Sequence, residues 1–117
     1  MLESQQCSNY SDNYHMLIFT LKKQWFEKIA SGEKTIEFRE CKPFWNSRLQ
    51  PAGSELKPIK AGYLIKNAPN KCILTLGYTK TKLYADIAKI EIWNEKKNDL
   101  GINPVYAIYL KNVRRTE

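Results

Sequence analysis

The apolar positions of this chain change period several times, and each change marks a predicted element. From His15 to Leu21 the residues are mostly β-branched, aromatic or long aliphatic, the make-up of a buried strand. From Leu21 or Lys22 to Ser31 the period lengthens. Leu21, Trp25, Phe26, Ile29 and Ala30 share one side, Lys22, Lys23, Gln24, Glu27 and Lys28 the other, which predicts an amphipathic helix with Thr20 as its N-cap. Gly32 stands where such a helix ends in a left-handed residue. Strand alternation follows, with Ile36 and Phe38 on one face and Thr35, Glu37 and Arg39 on the other. Taken alone, the charged face reads as solvated.

Beyond Arg39, the segment from Glu40 to Leu49 suits a short helix with Pro43 at its first position and Phe44, Trp45, Arg48 and Leu49 packed to one side. Residues 50–58 carry proline and glycine and read as a loop. Ile59 to Lys66 reads as one strand, in which Gly62 marks a bulge or the close approach of another backbone. After a turn at Asn67–Asn70, Cys72 to Tyr78 is a strand, Thr79–Lys82 a hairpin connection and Leu83 to Trp93 the longest strand. Its alternation changes phase near Ile87–Ala88, which predicts a bulge. A charged loop, Asn94 to Asn103, leads to a last strand from Val105 to Lys111. These elements predict a mixed α+β barrel of about five to six strands. One helix lies between the first two strands, and a second, short helix helps close an end. Residues 1–13 are polar and without period and read as a flexible leader; residues 14–117 form a single domain.

Charge adds a partner class. The net charge is +7, from 19 lysines and arginines against 12 acids, and a basic balance favours polyanionic partners such as RNA, DNA or nucleotides. No run approaches the roughly 18 apolar residues of a membrane span, and no basic segment with an apolar core opens the chain, so no membrane partner is expected. Three widely spaced cysteines, Cys7, Cys41 and Cys72, and a lone histidine, His15, offer no zinc spacing. The thiols read as free in a reducing compartment, which places the chain in the cytoplasm. No motif calls for a metal or a cofactor.

The segment Gly32-Glu33-Lys34-Thr35-Ile36-Glu37-Phe38-Arg39, a Gly-x-Lys-x-x-Glu-x-Arg pattern after a short helix, resembles the signature of the ASCH domain, a branch of the PUA-like β-barrels. Its context, Phe19 to Phe26 before and Glu40 to Trp45 with Arg48 and Leu49 after, resembles a bacterial and phage subset of that family across residues 17–49. Leu76-Gly77-Tyr78 and Ile90 to Trp93 resemble it more loosely. The resemblance implies a PUA-like topology and a cleft into which Lys34, Glu37 and Arg39 point.

A lysine, a carboxylate and a guanidinium in one cleft can hold a phosphate or a base edge, the arginine through its planar fork and the glutamate by accepting from an exocyclic amine. Alternation sets Lys34 on the face opposite Glu37, so the lysine must turn at the start of the strand for the three to meet. Around them, Lys22, Lys23, Arg48, Tyr78 and Trp93 are candidate contacts to RNA or a modified nucleoside, the aromatics by stacking. The runner-up is a small hydrolase with Lys34 and Glu37 as its catalytic pair, Lys34 turned into a base by burial and Arg39. An ASCH-like lineage that deacetylates 4-acetylcytidine carries Gly-x-Lys-x-x-Thr-x-Arg, and Glu37 here replaces its threonine; Glu91 and Glu95 are the candidates for its downstream glutamate. A protein–protein adaptor is the third reading, and whether the chain is an enzyme stays open at this point.

Overall fold

The structure, a computed structural model, describes residues 17–116. The leader, Cys7 and His15 lie outside the described residues. Seven strands and two helices follow in the order β1 (Leu17–Leu21), α1 (Lys23–Ala30), β2 (Ile36–Glu40), α2 (Pro43–Leu49), β3 (Glu55–Ile59), β4 (Gly62–Lys66), β5 (Lys71–Leu76), β6 (Lys82–Trp93) and β7 (Val105–Arg114).

The long β6 is the spine. β7 runs antiparallel along one side of it; on the other, β5 pairs with its first half and β4 with its end. β1 adds to β5 in parallel, β2 adds antiparallel to β7, and β3 forms a hairpin with β4. The sheet therefore runs β1-β5-β6-β7-β2 and curls into a half-barrel of mixed strand direction. Its concave side holds Phe19, Leu74, Ile90, Tyr106 and Ile108, all without solvent exposure. Register decides which residues share that side. Glu37 stands opposite Ile108 and Ile108 opposite Ile90, so the carboxylate lies in the core row.

The predicted helix is present but shorter. Thr20 belongs to β1, and the N-cap is Lys22, without a side-chain bond. Phe26 and Ile29 are the helix residues that reach the core, Trp25 is half-buried and Ala30 is exposed. Gly32 takes the expected left-handed φ of 86°, its N–H donating to Ile29 O. On α2, Pro43 does open the helix. Leu49 is buried and Trp45 half-buried, whereas Phe44 and Arg48 are exposed rather than packed inward.

Two expectations are corrected by strand count. Five to six strands become seven, because residues 55–59, read as loop, form β3, and the single strand expected over Ile59–Lys66 is a hairpin that turns at Lys60–Ala61. β3 escapes notice because Pro58 sits in it and most of it is exposed, which an edge strand tolerates. Gly62 marks a close approach. It opens β4 at φ 156°, and a Cβ there would stand 1.9 Å from Ile92 O. The bulge expected near Ile87–Ala88 is present as a register shift between Ile87 and Lys89, with a second between Tyr84 and Asp86. Cys41 and Cys72 are free thiols.

Gly62→Ala must move the β6 backbone or break the β4–β6 pairing. It should destabilise the fold by roughly 2–4 kcal/mol. Gly53→Ala, strained at φ 89° but meeting nothing within 4 Å, should cost only about 1 kcal/mol. Thermal melts of the two variants check this; equal melting temperatures would show that the β4–β6 contact is not tight.

Candidate functional site

Curling brings the outer edges of the sheet, β1 and β2, to face each other, and they form no ladder between them. A side chain bridges the seam. The Arg39 guanidinium donates from Nη2 to Thr20 O of β1 at 3.1 Å. Its plane lies near the aromatic pair Phe19 and Trp45, with Cζ 5.1 Å and 5.2 Å from the two ring centres, and those rings stack on each other at 5.1 Å. Guanidinium on aromatic faces is weakly hydrated and suits a half-buried position.

Beside it lies Glu37. Arg39 donates to Glu37 Oε2 from Nε at 2.9 Å, and Nη2 is 2.7 Å from the same oxygen. The other oxygen, Oε1, faces Lys34 Nζ at 3.8 Å, an ion pair but longer than a hydrogen bond. The expectation of a solvated charged face is thereby corrected: Glu37 is only 6% exposed. On the opposite face Phe38 and Ile36 are half-buried, since β2 is covered on both sides. Burial pushes the Glu37 carboxyl above its ordinary value, against the opposing pull of Arg39 and Lys34.

Lys34 precedes β2 and is free of its alternation. Its N–H donates to Lys28 O at the end of α1, so the side chain turns in beside Glu37. Nζ lies 5.4 Å from the centre of Trp25 and 5.2 Å from that of Phe38. It also pairs with Asp99. Asp99 comes from the 94–103 loop, which Asn98 organises. Its amide donates to Glu95 O and Ile102 O, and its carbonyl accepts from the N–H groups of Leu100 and Gly101.

Lys34, Glu37 and Arg39 thus converge as expected, at one end of the seam. The other candidates do not join them. Trp93 stands on the convex side of β6, edge-on to Phe38 at 5.2 Å, its N–H donated to Glu91. Arg48 bonds Phe44 O and covers that ring on exposed α2. Lys22 and Lys23 are exposed at the start of α1, and Tyr78 is exposed at the tip of the β5–β6 turn. Glu95 lies on a separate surface groove of about 430 Å³ between Pro58–Tyr63 and Asn94.

Sequence reasoning missed Asp99 and Thr20 O, whose contacts are tertiary, and the partners of Glu91. Glu91 is 8% exposed, and its Oε1 accepts from Trp93 Nε1 and Tyr109 OH, both at 2.9 Å. Lys89 Nζ is 3.1 Å from its Oε2. Burial acts to raise its pKa, but the three donors prevail and hold it below the ordinary range. The two buried carboxylates differ in donors. Glu91 is saturated, whereas Glu37 Oε1 receives no hydrogen bond among the described residues.

Two tests follow from this geometry. A raised native pKa means that Glu37 holds its proton in the folded state where the unfolded chain has lost it, so its contribution to stability falls as pH rises through the range above 4.5. Glu37→Gln, which copies the neutral carboxyl, should remove that fall. Melting curves from about pH 4 to about pH 8 should show wild type losing stability relative to the variant as pH rises; a constant difference would refute the assignment. Arg39→Ala strips Glu37 of its donor and opens the seam. We expect about 3 kcal/mol of destabilisation, measured by urea denaturation, with much of it recovered in Arg39→Ala/Glu37→Gln.

The chain matches no family model, no curated protein and no solved structure.

Proposed function

We propose that this chain is a PUA-like domain of the ASCH kind that binds RNA or a modified nucleoside, with the base taken at Lys34 and Glu37 and the carboxylate set in place by Arg39. One observation supports this above the others: Glu37 Oε1 is a buried acceptor without a hydrogen-bond donor among the described residues, with Lys34 3.8 Å away and Trp25 beyond it. Fold-stabilising carboxylates are saturated, as Glu91 is; an unfilled acceptor beside an aromatic face suits the exocyclic amine of a base. Trp25, whose ring faces Lys34 and Lys28 and is half-buried, offers the stacking surface.

Arg39 has a different part. It is held by Glu37, Thr20 and two rings, so it positions the carboxylate rather than greeting the ligand. Asp99, half-exposed, occupies Lys34 in the free protein, and a ligand phosphate or carbonyl replaces it there. The hydrolase reading is weaker: among the described residues no hydroxyl bonds Lys34 or Glu37, and Thr35 is exposed, so no nucleophile is in place.

A thermal-shift panel of natural and modified nucleosides and their monophosphates tests this. A ligand at about a hundredfold over its Kd should raise the melting temperature by several degrees. Lys34→Met, which keeps the aliphatic stem against Trp25, should weaken that ligand about tenfold, and Asp99→Asn should strengthen a phosphorylated one. Mass spectrometry of the same mixtures detects turnover, which would favour the hydrolase. A panel without a single shift, or a shift that Lys34→Met leaves intact, would remove the site.

A further inference from the structure

The turn between β5 and β6 carries a feature the seam does not use. Tyr78 is 99% exposed, the most exposed of the large hydrophobic side chains among the described residues. The turn beneath it is bonded on every side. Gly77, at φ 57°, donates its N–H to Leu21 O, Leu76 N–H donates to Thr81 O, Thr79 N–H and Oγ1 both donate to Leu76 O, and Thr81 N–H donates to Thr79 Oγ1. None of these bonds involves the tyrosine ring, so a rigid turn holds an aromatic face in water without a folding purpose.

Its surroundings are cationic. Lys80 and Lys82 follow it in sequence, and the Gly77–Leu21 bond joins the turn to the end of β1, next to Lys22 and Lys23. All four lysines are exposed, and the segments 17–26 and 72–85 contain no aspartate or glutamate. An exposed aromatic face in a stretch of exposed lysines that form no ion pair among the described residues suits a chain that alternates phosphates with exposed π-faces. A base-paired duplex has no free face for a single projecting ring.

We infer that the β5–β6 tip, Tyr78 with Lys22, Lys23, Lys80 and Lys82, is an anchor for single-stranded polynucleotide that extends the nucleoside site in the seam. It rests on the nucleic-acid reading of that site. The two lie on opposite edges of one strand, since Leu21 O faces the tip and the neighbouring Thr20 O faces Arg39 across the seam. One oligonucleotide crossing β1 from edge to edge would meet both, with one base in the seam and another on Tyr78.

Fluorescence anisotropy with a labelled oligouridylate of about twelve nucleotides, at several salt concentrations, tests this. Tyr78→Ala should weaken binding about tenfold or more, as for a lost stacked base, and leave heparin binding unchanged because heparin has no π-face. The Lys80→Gln/Lys82→Gln double variant should flatten the salt slope by about 1.4, that is 0.7 for each phosphate contact. Neither change should alter the thermal shift given by a free nucleoside. Oligouridylate binding of equal strength and salt slope in wild type and both variants would overturn the anchor and leave the seam standing. Absence of oligouridylate binding at low salt would also overturn it, even where nucleosides bind. Tyr78-dependent binding of oligouridylate with no nucleoside shift would uphold the tip and remove the seam. Tyr78-dependent binding to phosphatidylserine vesicles in place of oligouridylate would overturn the inference in favour of a lipid surface.

Discussion

The contact between Arg39 and Glu37 is the constraint from which the rest of the site follows. A sheet that curls without closing leaves two edges whose carbonyls need donors, and one of them, Thr20 O, is met by a side chain instead of a strand. A guanidinium in that half-buried place needs an anion, and Glu37 supplies it. The buried carboxylate in turn needs more positive charge than one arginine gives, which draws in Lys34; the lysine draws Asp99 from a loop. Each group answers the desolvation of the one before. The series starts in the core and ends at the surface.

That series is unevenly satisfied. Glu91, on the convex side of the same sheet, has a tryptophan, a tyrosine and a lysine around it and is held ionised. Its effect passes to Tyr109, whose hydroxyl is pushed up to about 12 by burial and by the neighbouring carboxylate. Such a cluster is complete and has nothing left to offer a ligand. Glu37 keeps one oxygen poorly served, although burial makes that costly. Aromatic rings on both sides, Trp25 near Lys34 and Phe19 with Trp45 near Arg39, keep the charges strong by keeping water out.

Local rules made much of the chain readable. Gly32 ends a helix with a positive φ because only local sterics are involved, and the period of Trp25, Phe26 and Ile29 foretold a helix, in which Phe26 and Ile29 are buried. The phase change at Ile87 announced a bulge for the same reason: alternation is a property of one strand. What failed depended on neighbours. β3 is exposed and contains a proline, so its pattern carries little signal until β4 pairs with it. Among the described residues no helix is long and apolar enough to cross a membrane, which agrees with the short apolar runs of the sequence.

For the site, the sequence by itself determined the residue types, their spacing and the helix end that turns Lys34 toward Glu37. It also determined a basic surface, because net charge is a sum over residues and needs no coordinates. Tertiary structure alone decided that the charged face of β2 points into the core, since the side of a strand that is buried depends on how the whole sheet curls. It decided that Asp99, far along the chain, pairs with Lys34, and that Thr20 offers Arg39 a carbonyl across an open seam. It also separated Trp93 from the site and left Tyr78 in water at a turn beside Leu21. These are contacts between segments remote in sequence, and their geometry exists only once β1 and β2 have been brought face to face.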